Sequence, residues 1–97
     1  MVNRNAFKVT VEVLVEFRRD GVMIPREILW IDENEEEIRY PIDRVKDVRQ
    51  AAAEKAGGLG DRYTILVNGR ETYLFFERCV NRSGRVIGTW FVERRSA

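Results

Sequence analysis

The strongest constraint on the fold is a strict alternation of residue types near the N-terminus. Apolar residues occupy every second position from Phe7 to Phe17, and most positions between them are charged or polar. Successive side chains of a β-strand point to opposite faces, so a period of two predicts a strand with one wet face. Asp20-Gly21, a favoured type I′ pair, then predicts a hairpin with a second strand from Met23 to Ile31.

An acidic run from Asp32 to Glu37 separates this strand from a second alternating segment, Ile38 to Ile42. A carboxylate cluster could hold a divalent cation, but an EF-hand loop needs ligands at set positions around a central glycine. The acidic run has no glycine. We therefore predict a solvated turn between two strands.

The second half of the chain repeats the hairpin pattern. Asn68-Gly69 separates the strand segments Tyr63 to Val67 and Thr72 to Phe76, and Asn81 to Gly84 precedes a last strand, Val86 to Glu93. Short strands joined by tight turns predict a mainly β protein. We expect about six antiparallel strands, in a small SH3-like barrel or a strongly bent meander.

Residues 43–56 have two interpretations. Val45, Val48, Ala52 and Ala56 follow a helical spacing, and the alanines favour a helix. The alternative is a long bent strand that is bulged near Lys46 and pairs back with residues 62–67. The sequence leaves both open.

Composition limits the chemistry of the chain. It has no histidine and one cysteine, so it cannot build a histidine-dependent relay or most zinc sites. The glycine cluster from Gly57 to Gly60 lacks the Lys-Ser/Thr of a phosphate-binding loop. We expect no enzymatic activity and no cofactor, and we expect Cys79 to be a buried small hydrophobe in a reducing compartment.

Length and hydropathy set the remaining expectations. The 97 residues, 44% of them hydrophobic, are enough for one domain spanning residues 1–97. No apolar run approaches the roughly 18 residues of a membrane span, and residues 1–5 lack a hydrophobic signal core. A cytoplasmic protein with no membrane association is expected.

Three aromatic motifs carry a resemblance to known proteins. They are Pro25-x-x-Ile28-x-Trp30, Tyr40-x-Ile42-Asp43-x-Val45 and Trp90-Phe91-Val92-Glu93. Together they resemble a group of small uncharacterised bacterial domains with an SH3-like β-barrel. The chain also resembles short proteins encoded near translesion DNA polymerases, which implies a role in DNA maintenance. Such relatives join the second and third strands by a Gly-bearing turn, whereas the acidic run here disfavours nucleic acid beside that turn.

A non-enzymatic binding module is therefore the expected function, with single-stranded nucleic acid as a candidate ligand. Aromatic side chains would stack on bases and arginines would meet phosphates. The alternative for each tryptophan is a place in the core. The net charge of +1 does not favour a general polyanion-binding field. The candidate ligand or partner residues are Trp30, Tyr40, Arg44, Arg49, Arg62, Arg70, Tyr73, Arg78, Trp90 and Arg94.

A protein-interaction module or homodimer is the second hypothesis. The segments Ile28 to Ile31, Tyr73 to Phe76 and Val86 to Val92 carry apolar residues on both alternating faces. A single sheet layer cannot bury both faces, so residues 43–56, barrel closure, a second subunit or a partner must cover one. Within these segments Tyr73, Phe75 and Phe91 would be the anchors of a partner.

Overall fold

The computed structural model describes residues 6–53 and 58–95. All pairings in its sheet are antiparallel, and the strand order is β3-β2-β1-β7-β6-β5-β4. The strands are β1 (Ala6–Phe17), β2 (Met23–Ile31), β3 (Glu37–Pro41), β4 (Arg44–Ala53), β5 (Gly58–Val67), β6 (Arg70–Val80) and β7 (Val86–Arg95). The sheet curls into a half-barrel, which confirms the predicted small antiparallel β architecture of about six strands, with seven strands among the described residues.

β4 decides between the two interpretations of residues 43–56. Its described residues form a strand, so the helix is wrong there, and residues 54–57 lie outside the described part of the chain. Val45 lies opposite Ile65 and Val48 lies opposite Tyr63, because a bulge after Val45 adds one residue. The helix-like spacing of the two valines therefore comes from the bulge, and pairing with β5 overrides the helix propensity of the alanines. No helix able to span a membrane occurs within residues 6–53 and 58–95.

The hairpin turns follow two geometries. Asn68 and Gly69 both have positive φ, 52° and 75°, as the predicted type I′ turn requires. The hairpin after β1 is confirmed but its turn type is not, since Gly21 has a φ of 90° and Asp20 does not share a positive φ. Gly21 N donates to Arg18 O at 2.9 Å, so the loop is a type I turn followed by a left-handed glycine.

Two backbone hydrogen bonds curl the sheet at the connection between β3 and β4. Ile42 N donates to Arg26 O at 2.9 Å, and Asp43 N donates to Leu66 O at 2.8 Å. Because Arg26 belongs to β2 and Leu66 to β5, the connection ties together two strands that lie far apart in the sheet. Ile42, only 8% exposed, closes this end of the core.

The concave face of the sheet holds the main core. Ile65 and Leu74 are fully buried, and Trp90 lies with its ring centroid 5.1 Å from that of Tyr63 and 4.8 Å from that of Phe76. The buried members are Val11, Ile28, Ile42, Tyr63, Ile65, Leu74 and Trp90.

The convex face has a small core of its own. Phe75 and Phe91 are paired across β6 and β7, stack with centroids 5.0 Å apart and are at most 2% exposed. Lys8 reaches over the Phe91 ring, 4.7 Å from its centroid, and forms an ion pair with Glu77 at 3.1 Å. Side chains of the same chain thus contribute to covering the second apolar face of the late strands.

Candidate ligand-binding surfaces

One candidate surface lies on the outer face of β4, β5 and β6. We call it the Arg-Tyr face and define it by Arg44, Arg49, Arg62 and Tyr73. Arg49 lies opposite Arg62, and Tyr73 lies on the next strand opposite Thr64. The Arg62 guanidinium carbon is 4.5 Å from the centroid of the Tyr73 ring, within the range of a cation–π contact. Pairing of the strands therefore brings together four of the ten residues selected from the sequence.

Charge on the Arg-Tyr face is mixed but leaves cations available. Arg49 Nε bonds to Asp47 Oδ2 at 2.8 Å, and Lys46 bonds to Glu71 at 2.8 Å at the edge of the face. Arg44 is exposed and has no ion pair among the described residues. The available positive charge is therefore confined to a small part of the surface. A net charge of +1 agrees with this, because basic and acidic residues almost balance over the whole chain.

Arg62 and Tyr73 differ in exposure. Tyr73 keeps 45% of its surface exposed, so one side of its ring is accessible. Arg62 is half-buried, and its Nε is buried without a hydrogen-bond partner. A buried donor without a partner carries a desolvation cost of about 1–3 kcal/mol.

A second Arg–aromatic contact lies at the end of β2. The Arg94 guanidinium carbon is 5.0 Å from the centroid of the half-buried Trp30 ring. Beside it is a shallow depression lined by Trp30, Ile31, Asp32, Glu33, Asn34 and Arg94. Carboxylates of the acidic loop therefore adjoin this aromatic, and they disfavour phosphate there.

A cleft opens where β1 changes partner. Glu12 pairs with Leu29 of β2, but residues 6–11 pair with β7 instead. The β1–β2 cleft, as we name it, has a volume of about 240 Å³. It is lined by Val9, Thr10, Val11, Glu12, Leu29, Trp30 and Ile31. Because consecutive residues of both strands line it, it runs between the strands and does not lie on one face.

The other predicted residues do not join the Arg-Tyr face. Trp90 is buried in the core at 7% exposure, and Tyr40 is half-buried and packs against the same core. Arg70 is exposed beside the turn that begins β6. Arg78 is exposed on the opposite side of β6 from Tyr73. The ten residues therefore do not form one continuous surface.

The structure also shows the exposure of the residues that were predicted to anchor a protein partner, and of Cys79. Of the three anchor residues, Phe75 and Phe91 are buried within one chain, and only Tyr73 is exposed. Cys79 is exposed, so the expectation that it is buried was wrong. The physical reason is that this end of β6 pairs only with β7, beyond the covered centre of the sheet.

The titratable side chains of the described residues lack a candidate metal site. No group of three or more acidic, cysteine or histidine side chains suited to a metal ion occurs within residues 6–53 and 58–95. Burial raises the pKa of the Tyr63 phenol above its ordinary value of 10.0, and the Asp61 charge adds to the rise. Tyr63 belongs to the main core, so we assign this shift to packing.

Comparison with known proteins identifies no relative of this chain. No family model matches the chain, and no curated protein or solved structure matches it either. The half-barrel agrees with the barrel-like fold implied by the resemblance of the aromatic motifs. Family membership and bacterial origin stay predictions.

Sequence reasoning missed the β1–β2 cleft. One signal was available. In a hairpin about the Asp20-Gly21 turn, β2 ends at the acidic run and is therefore too short to pair with the whole of β1. The first residues of β1 therefore had no evident partner in β2. Their pairing with β7 depends on the whole strand order, which local pattern does not specify.

Proposed function

We propose that the protein is a non-enzymatic binding module that takes single-stranded nucleic acid on the Arg-Tyr face. The observation that carries the proposal is the contact of the Arg62 guanidinium with the half-exposed Tyr73 ring. Arg44 and Arg49 of the neighbouring strand supply further cations on the same face. Aromatic rings and guanidinium planes are the surfaces on which unpaired bases stack.

The shape of this face favours a single strand over a duplex. Its aromatic lies on a broad sheet surface, and a base must be unstacked from a duplex to reach such a ring. Phosphates would meet the exposed guanidinium groups of Arg44 and Arg49. With a net charge of +1, affinity depends on this local cluster and falls with added salt.

Fluorescence anisotropy of labelled DNA and RNA oligonucleotides, over a series of salt concentrations, tests the proposal. Tyr73→Ala is expected to weaken binding about 5- to 150-fold, the equivalent of one base-stacking interaction of about 1–3 kcal/mol. Arg62→Ala should also lower the slope of the salt dependence by about 0.7 for each phosphate that the variant no longer binds.

Two exposed residues at the opposite end of the sheet provide matched controls. Phe17→Ala removes an aromatic that is 73% exposed, and Arg82→Ala removes a cation from the turn before β7. Neither should change affinity. Absence of binding at low salt would overturn the proposal, as would equal affinity of the parent and Tyr73→Ala.

A further inference from the structure

We infer that the β1–β2 cleft binds an extended peptide of apolar and basic residues, added as a strand beside β1. The inference concerns a different surface from the Arg-Tyr face and a different class of partner. It does not depend on the proposed function.

Backbone pairing at the cleft is incomplete on both sides. Residues 6–11 of β1 pair with β7 on one side, and their register with β2 begins only at Glu12. Trp30 and Ile31 pair with β3 and not with β1. Every second residue of a strand directs its N–H and C=O to each edge, so two unpaired edges face each other here. An inserted strand would supply the missing hydrogen bonds.

Cleft size and lining suit the side chains of such a strand. Its volume of about 240 Å³ is below the roughly 300–1,000 Å³ of typical small-molecule sites. Its walls are largely apolar, with Val9 and Val11 on one strand and Leu29 on the other. Ile31 keeps 60% of its surface exposed at the rim.

Charge around the cleft selects a basic partner. Glu12 lines it, is exposed and has no ion pair among the described residues. The adjoining depression shares Trp30 and Ile31 with the cleft and adds Asp32 and Glu33. The remaining carboxylates of the same loop are Glu35 and Glu36, whereas Glu37 at the start of β3 is paired with Arg39 at 3.1 Å.

The nearby cations do not balance these carboxylates. Lys8 is paired with Glu77, and Arg94 lies over the Trp30 ring. A polyanion would meet a mainly negative rim, whereas a peptide with Lys or Arg beside apolar residues would complement it. The cleft and the Arg-Tyr face therefore select ligands of opposite charge.

Two synthetic six-residue peptides test this inference, one alternating Val with Lys and one alternating Val with Glu. Titration calorimetry of the full chain gives affinity, and backbone amide NMR locates the site. The Lys peptide is expected to bind and to shift the amides of residues 6–11 and of Trp30 and Ile31. The Glu peptide should not bind.

Ile31→Lys and Val80→Lys form a matched pair of variants, since the two side chains are 60% and 64% exposed. Both add one positive charge at an exposed strand position, and circular dichroism would verify that each folds. Ile31→Lys should weaken the Lys peptide at least about tenfold through repulsion at the rim, and Val80→Lys should leave it unchanged.

Three results would overturn the inference: no binding of the Lys peptide, equal binding by both variants, or amide shifts outside the cleft. An oligonucleotide that shifts the cleft amides would also overturn it. Because Tyr73→Ala leaves the cleft intact, it should not affect the peptide. Failure of the inference is thereby distinguishable from failure of the proposed function.

Discussion

The centre of the sheet and the β1–β2 cleft carry similar aliphatic side chains but bury them very differently. Leu74 of β6 is fully buried, whereas Ile31 of β2 is 60% exposed. Leu74 lies opposite Tyr63 of β5 and packs in the main core, while Ile31 pairs only with β3. Each residue has a register partner on one neighbouring strand, so the difference in burial comes from the main core that packs on Leu74, and hydrophobicity alone does not decide it.

Two loops of the same hydrogen-bonding pattern, one of them beside the cleft, differ in backbone strain. Asn81 O accepts from Gly84 N at 3.0 Å in the loop between β6 and β7, and Asp32 O accepts from Glu35 N at 3.0 Å in the loop between β2 and β3. Gly84 has a φ of 82°, and Glu35 occupies the matching position with a φ of 63°. The loop beside the cleft therefore holds a non-glycine residue where the other loop has glycine, at a cost of about 1–2 kcal/mol.

The largest expected effect is on the free energy of unfolding, which should differ between substitutions at the centre of the sheet and at the cleft. Leu74→Ala should lower the free energy of unfolding by about 2–5 kcal/mol, since it removes fully buried methyl groups and leaves a cavity. Ile31→Ala should change it by no more than about 0.5 kcal/mol, because most of that side chain already contacts solvent. Urea unfolding of both variants measures the difference. Similar losses would show that the cleft is as well packed as the centre.

The sequence predicted local features of the strands and turns correctly, both at the centre of the sheet and beside the cleft. Alternation from Phe7 to Phe17 and the Asn68-Gly69 turn are local signals, and both describe the structure correctly. The sequence did not decide between a helix and a strand for β4. The reason is that a bulge converts the two-residue period of a strand into a three-residue spacing between Val45 and Val48. The bulge near Lys46 was one of the two predicted alternatives, but no local signal decided between that bulged strand and the helix.

The candidate surfaces were harder to predict than the fold. Residue type suggested Tyr73 and Trp90 equally, yet one is half-exposed and the other is buried between Tyr63 and Phe76. Which aromatic reaches solvent depends on the curl of the sheet, and local sequence patterns do not specify the curl. The cleft is likewise a property of strand order and not of composition.

A smaller effect is expected from the strained loop. Glu35→Gly should raise the free energy of unfolding by about 0.5–1 kcal/mol, because glycine adopts a positive φ without steric cost. Part of this gain is offset because glycine loses more conformational entropy on folding than glutamate does. Glu33→Gly removes the same charge from the same loop at a residue without positive φ and should not stabilise. Gly84→Ala should destabilise by about 1–2 kcal/mol. Equal effects of the two Glu variants would assign the gain to charge and not to backbone strain.

Alkaline pH should weaken the buried centre through the Tyr63 phenol. Well below its ordinary pKa of 10.0 the Tyr63 phenol is protonated in the folded and the unfolded chain, so it adds no pH dependence. Above that pH the unfolded chain releases the proton first, because burial raises the pKa of Tyr63 in the folded protein. The unfolded state then binds fewer protons, and the free energy of unfolding falls as pH rises toward the folded pKa.

Tyr63→Phe removes this contribution while keeping the ring that packs on Trp90. Urea unfolding of parent and variant at about pH 9 and about pH 11 brackets the ordinary phenol pKa. The loss of stability between the two conditions should be smaller in the variant, with the value at the lower pH serving as its internal reference. An identical loss would mean that the Tyr63 phenol is solvated in the folded state, and the centre of the sheet would then be less closed than its packing indicates.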